Sequence, residues 1–206
     1  MNSSPVSTPL ALWTVGHGTL DGSGLARLVA RAGVSSIVDV RRYPGSRRDP
    51  SVARESLEPT LREHGVAYRW DERLGGRRSR PADSPDTALR NLSFAGYAAH
   101  MRTPAFTEAV DELLAAGEPT AILCSESVWW RCHRRLVADH VVLVRGVPVC
   151  HLMHDGRTPE HRPTDGVRLS RSSSPLGGLL PSTPGLPGPG EQLVYDDGQE
   201  PLPGSG

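Results

Sequence analysis

PTAILCSESVWWRCHRRLVADHVVLVR, residues 119 to 145, decides how the chain is read. Its opening, PTAILC, is a short apolar run of the kind a buried strand makes. Its close places Leu136, Val137, His140, Val141 and Val144 at the spacing of a buried helical stripe, which predicts a helix from about 132 to 145. A strand feeding a helix is half of a βαβ unit. Between the two lie a second cysteine, two tryptophans, a glutamate, a histidine and arginines, residue types that rarely crowd together to fill a core.

The pattern repeats outward. LWTVGH (12–17), SSIVDV (35–40), VAYRW (66–70) and VPVCHLM (147–153) read as four further strands. Leu25, Leu28, Val29 and Ala32 recur at helical spacing, with Gly33 as the stop. ESLEPTLREHG (55–65), FAGYAAHM (94–101) and PAFTEAVDELLAAG (104–117) read as helices, the first disturbed by Pro59 and the last opened by Pro104. This alternation predicts an α/β fold: one compact domain, residues 10–154, with a mostly parallel sheet of about five strands covered by helices on both faces. Residues 1–9 read as a flexible leader. Residues 155–206, rich in proline, glycine and serine, read as a disordered tail in which Gln192 to Tyr195 are too few to nucleate order.

The 206 residues carry a formal net charge of zero, so no global basic field argues for nucleic acid. No lysine is present; every long basic side chain is an arginine, the planar fork suited to carboxylates and phosphates. Three cysteines do not make a disulfide framework, and neither a signal peptide nor a membrane-length apolar run is visible. A cytoplasmic protein with reduced thiols is expected.

In open α/β sheets, ligands bind beyond the carboxyl ends of the strands. Four predicted strands end there in charged or reactive groups: His17 between two glycines, then Arg41, Arg42, Arg47 and Arg48 around a Pro-Gly turn, then the loop holding Gly75, Gly76 and Arg77, then Cys124 to Arg134. The arginines suit an anion, with Arg41 and Arg47 the first candidates. Cys132, at a helix start among arginines, has the surroundings that lower a thiol pKa. Three chemistries compete for it. It is a nucleophile with His17 or His133 as base and Glu126 as acid or orienter, a zinc ligand with Cys124, His133 and His17, or a packing residue. The C-x7-C-H spacing is not that of a standard zinc knuckle, so zinc is not favoured. Trp129 and Trp130 lid the crevice, stack on a base, or plug the sheet's end. Cys150 reads as core. His64, His100, His140, His154 and His161 read as structural or exposed.

T-V-G-H, V-D-V-R-x-x-P-x-S-R, L-G-G-R, F-x-G-Y-A-x-H-M and C-x-E-x-x-x-W-x-C-H-R, in this order over about residues 12 to 152, resemble the domain of unknown function 488 family. The resemblance implies a compact α/β domain found chiefly in prokaryotes, and no established reaction or cofactor. The signature positions it marks are His17, Asp39, Arg41, Pro44, Ser46, Arg47, Gly75, Gly76, Arg77, Gly96, Tyr97, Cys124, Glu126, Trp130, Cys132, His133 and Arg134. Gly18 stands where the family more often has serine.

Together these predict an enzyme acting on an anionic or phosphorylated substrate, a nucleotide or a base in nucleic acid. Cys132, His17, Glu126 and His133 would do chemistry. Arg41, Arg47, Gly75, Arg77, Tyr97, Cys124, Trp130 and Arg134 would bind substrate, with Asp39 holding Arg41. The rivals are a non-catalytic nucleotide or nucleic-acid binding module and a zinc-stabilised structural protein.

Overall fold

The computed structural model describes residues 11–171 and 191–196. Five strands, β1 (Leu12–Gly16), β2 (Ser36–Asp39), β3 (Ala67–Trp70), β4 (Thr120–Cys124) and β5 (Val149–Leu152), form one all-parallel sheet in the order β3-β2-β4-β1-β5. The expected fold class is therefore the observed one.

Each strand alternates its side chains between two apolar layers, because successive residues of a strand face opposite sides. Val15, Ile37, Ala121 and Leu123 pack on helices α1 (Gly22–Arg31) and α2 (Arg54–Glu63). Val38, Ile122 and Cys124 pack on α3 (Leu92–Met101), α4 (Pro104–Leu114) and α5 (Arg134–Arg145). Local chemistry sets the helix ends. Asp21 accepts from the Gly24 amide at 2.6 Å to cap α1, and Thr103 caps α4 ahead of Pro104. Gly146, at φ 65°, takes the left-handed turn that ends α5. Pro59 sits inside α2, its missing N–H costing one helical bond.

The sheet order makes the site. The crossover leaving β1 uses α1 on one face, and the one leaving β4 uses α5 on the other. Two adjacent strands whose connections part in opposite directions open a crevice beyond their carboxyl ends. There the His17 amide donates to Cys124 O and the Gly18 amide to Ser125 O, both at 3.0 Å, so pairing continues past the strands.

The segment after residue 154 departs from expectation where it is described. The His151 amide donates to Pro159 O, and the His161 amide to Val149 O, adding an extended stretch to the edge of β5. Strands β6 (Val167–Arg171) and β7 (Glu191–Tyr195) pair antiparallel as a separate two-stranded sheet. Leu193, Val194 and Tyr195 are buried, and Leu193 and Tyr195 join the layer of α3 and α5. Gln192 to Tyr195 are thus ordered by tertiary packing, which local composition does not register. The expected leader at 1–9 and the rest of the tail, 172–190 and 197–206, lie outside the described residues.

Candidate active site

A cleft of about 810 Å³ opens over the carboxyl ends of β1, β2 and β4. Its wall holds Arg41, Arg42, Arg47, Arg77 and Arg131 against a single carboxylate, Glu126. Arg42, Arg47, Arg77 and Arg131 make no ion pair among the described residues, whereas Arg62, Arg69, Arg73, Arg102, Arg145, Arg157 and Arg168 do elsewhere. The cleft wall of an electrically neutral chain thus carries an excess of unpaired cation. Tyr43, 68% exposed, and Phe94 put aromatic surface beside it.

Arg41 has a different task. Its Nε donates to both oxygens of the fully buried Asp39, its Nη1 to Val52 O at 2.8 Å, and its Nη2 again to Asp39. Tyr68 completes the carboxylate at 2.7 Å. Asp39 does hold Arg41, and the pair fixes the start of the arginine loop. Removing either partner alone would strand a buried charge.

Cys124, Cys132 and His133 meet at the cleft floor. His133 Nδ1 lies 3.6 Å from Cys132 Sγ and 3.9 Å from Cys124 Sγ. His133 Nε2 is buried without a protein partner. A proton on Nδ1 therefore suits the ring, since it donates toward sulfur and leaves only a lone pair unmatched. Arg134 Nε donates to Cys132 Sγ at 3.4 Å. That contact breaks the symmetry of the two thiols. Burial opposes charge on Cys132, but the Cys124 thiol and the Arg134 guanidinium outweigh it and bring its pKa down to about 6. Cys124, donating to Cys132 and buried, is pushed up to about 12. The surroundings thus favour a thiolate at 132 beside a thiol at 124.

Cys132 does not lie in the first turn of α5, as the sequence suggested. It is extended, with φ −123° and ψ 151°, two residues before the helix, and its carbonyl accepts from the Arg135 amide. A short 3-10 turn at Trp129–Arg131 carries it. The thiol is lowered most by Cys124 and the Arg134 guanidinium, and the Arg134 amide, the first of α5, adds to them.

His17 lines the same cleft, and its buried Nδ1 has no protein partner. Burial first, then Arg41, lowers its pKa. It is thus a neutral imidazole able to accept a proton. No hydrogen bond joins it to Cys132; the imidazole at the thiolate is His133. Glu126 lines the cleft, with its carboxylate accepting from the Val128 amide at 3.4 Å and its carbonyl taking Arg134 Nη2. That carbonyl explains Gly16: a Cβ there would lie 1.8 Å from Glu126 O.

Several expected binding residues turn inward. Arg134, only 1% exposed, does not reach the cleft; its hydrogens go to Cys132, Thr14 and Glu126 O. Tyr97 is sealed, its hydroxyl donating to Leu74 O at 2.6 Å, which secures the Gly75–Gly76 loop. Gly75 lets that loop touch the Arg42 backbone, and Gly76 lets it touch the His133 ring. Trp130 is 47% exposed and lies outside the lining, while Trp129 stacks on His151 at 3.9 Å. Cys150 is half-buried on an edge strand, not core. His140 and His161 are buried. Ser93 and Phe94, at the start of α3, were missed because their helix is recognisable but its distance from the cleft is not.

Among the described residues, one grouping could hold a metal ion: the ligand atoms of Cys124, Cys132 and His133 lie within 4.8 Å of one another. None of the described helices is long and apolar enough to cross a membrane.

Residues 24–141 match the model of one family, described as Domain of unknown function DUF488. The match omits His17 and everything from β5 onward, and is narrower than the motif span of 12 to 152. No curated protein and no solved structure matches the chain.

Proposed function

The chain belongs to the Domain of unknown function DUF488 family, a premise that brings no reaction with it, and we propose from the site itself an enzyme that transforms an anionic, phosphorylated substrate by thiolate chemistry. The observation that carries this reading is the Cys132 sulfur, held by Arg134 Nε at 3.4 Å, in a cleft walled by unpaired arginines. Arg42, Arg47, Arg77 and Arg131 bind the anion. Cys132 Sγ attacks an electrophilic centre of the bound substrate as the leaving group departs with a proton from His17 or His133; water, giving its proton to the same histidine, then displaces Cys132 Sγ and carries the group away. Tyr43 and Phe94 offer a face to a base, so a nucleotide, free or within nucleic acid, is the preferred substrate class. A working thiolate needs reducing surroundings, which a cytoplasmic location supplies.

The test incubates the protein with a panel of nucleoside phosphates and reads products and intact-protein mass. Turnover, or a covalent adduct on Cys132, that vanishes in Cys132→Ser supports the enzyme. Salt-sensitive binding without turnover, unchanged in Cys132→Ser, points instead to a binding module.

A second reading has its own observation. Sulfur-to-nitrogen separations of 3.6 and 3.9 Å are what two ligands of one tetrahedral zinc ion span, given Zn–S of about 2.3 Å and Zn–N of about 2.0 Å. Cys124, Cys132 and His133 would then be three of its ligands. Metal analysis of the purified protein decides between thiolate and ligand.

A further inference from the structure

A buried chain of hydrogen bonds runs from beyond β5 to the thiol. Asp139 of α5 accepts from His161 Nε2 at 2.9 Å, the Thr164 amide at 2.8 Å and the Tyr195 hydroxyl at 2.9 Å. The other ring nitrogen of His161, Nδ1, lies 3.0 Å from His151 Nε2. His151 Nδ1 lies 2.7 Å from the Thr14 hydroxyl. Thr14 Oγ1 in turn faces Arg134 Nη1 at 3.5 Å, and Arg134 Nε points at Cys132 Sγ at 3.4 Å.

A second tie reaches the same place. The Trp129 ring lies flat on His151, with centroids 3.9 Å apart and planes 5° apart. The Trp129 carbonyl accepts from the Cys132 amide at 3.1 Å. His151 therefore steadies both Arg134 and the turn that carries the cysteine.

We propose that Thr14, His151, His161 and Asp139 are positioning residues that aim Arg134 at Cys132, and that the segment beyond β5 thereby forms part of the site. This rests on the thiolate reading given above. Of the four, only Asp139 falls within the residues that match the family. A buried network that merely stabilises the fold would tolerate isosteric change at its far links without altering the sulfur. A positioning network would not. The other groups facing Cys132 are the Cys124 thiol, the His133 ring and the Tyr97 hydroxyl, and none of them contacts Thr14.

The experiment measures the rate of Cys132 alkylation by iodoacetamide at pH 6 in the full chain, with Cys150 as the comparison, read by peptide mass, with thermal melting as the check on folding. Thr14→Val keeps the shape and removes the hydroxyl; Thr14→Ser keeps the hydroxyl. His151→Phe keeps a ring against Trp129 and removes both nitrogens, and gives the same comparison where Thr14→Val does not fold. The expected result is a Cys132 rate about fivefold lower in Thr14→Val and His151→Phe, with Thr14→Ser restoring the wild-type rate. A wild-type rate in the folded Thr14→Val or His151→Phe overturns the proposal, as does an equal loss in Thr14→Ser. A wild-type Cys132 that reacts no faster than Cys150 brings down the thiolate reading, and this inference with it.

Discussion

Arg134 stands two residues from Cys132 in sequence and donates to its sulfur at 3.4 Å, with both side chains buried. A fully buried guanidinium is costly unless its nitrogens find acceptors, and here each of the three has one: a sulfur, a hydroxyl and a carbonyl. Its charge is therefore spent on the thiolate. The arginines of the rim, unmatched and half or fully open to water, remain for a ligand. One residue type thus serves two purposes, separated by depth.

Arg77 is the clearest test of the rim. Among the described residues it is the one non-glycine with positive φ, at 58°. A side chain held in that region costs roughly 1 kcal/mol. Arg77→Gly should leave the fold slightly more stable, by about 0.5 kcal/mol after the entropy glycine loses. It should also weaken binding of pyrophosphate about tenfold, or about 1.4 kcal/mol. Urea unfolding and calorimetric titration check the two halves. A gain in stability with unchanged binding would remove Arg77 from the site.

Acid should unfold this protein through its buried histidines. Burial, then Arg145, takes His140 down to about 4; burial, then His161 and Arg134, takes His151 down to about 3. Both are neutral in the native state. In the unfolded chain they take up protons as pH falls through about 6.5. The unfolded state then binds more protons, so stability is lost from about pH 6.5 downward. The slope approaches about 1.4 kcal/mol per pH unit for each histidine until the native values are reached. Urea midpoints at pH 7 and pH 5 should differ accordingly, and His140→Leu should lessen the difference. Equal midpoints would mean that these rings are charged or exposed in the native state.

Gly76 offers a test of His133. A Cβ at position 76 would sit 2.9 Å from His133 Nδ1, the atom that faces both sulfurs. Gly76→Ala should fold, because a side-chain ring can yield where a backbone cannot, yet it should displace that nitrogen. The expected outcome is a melting temperature within a few degrees of wild type and a slower reaction of Cys132 with iodoacetamide at pH 7. Unchanged reactivity would show that His133 plays no part.

The alternation of apolar runs and helical stripes made the five-stranded sheet legible, since buried parallel strands and amphipathic helices carry periods a sequence displays. The convergence of His17, Cys124 and Cys132 was legible too, because strand ends gather in this fold. Depth was not. Arg134 and Tyr97 have the same composition signal as surface groups, and only packing reveals that they turn inward. The β6–β7 sheet was hidden for a related reason: Leu193 and Tyr195 find their apolar partners on α3 and α5, far away in sequence. His151 and Asp139 gave no motif, since a relay of single residues from separate elements has no spacing to read.

The most direct test of the thiolate is the rate of alkylation of each cysteine against pH, with and without a chelator, with half-buried Cys150 as the internal comparison. Burial raises Cys150, so it should react only at alkaline pH. The thiolate account predicts that Cys132 reacts with a midpoint near 6, that Cys124 stays inert until far higher pH, and that chelator changes neither. Reaction of Cys124 and Cys132 only after chelation would contradict it in favour of a metal. A Cys132 as slow as Cys150 in both conditions would contradict it outright.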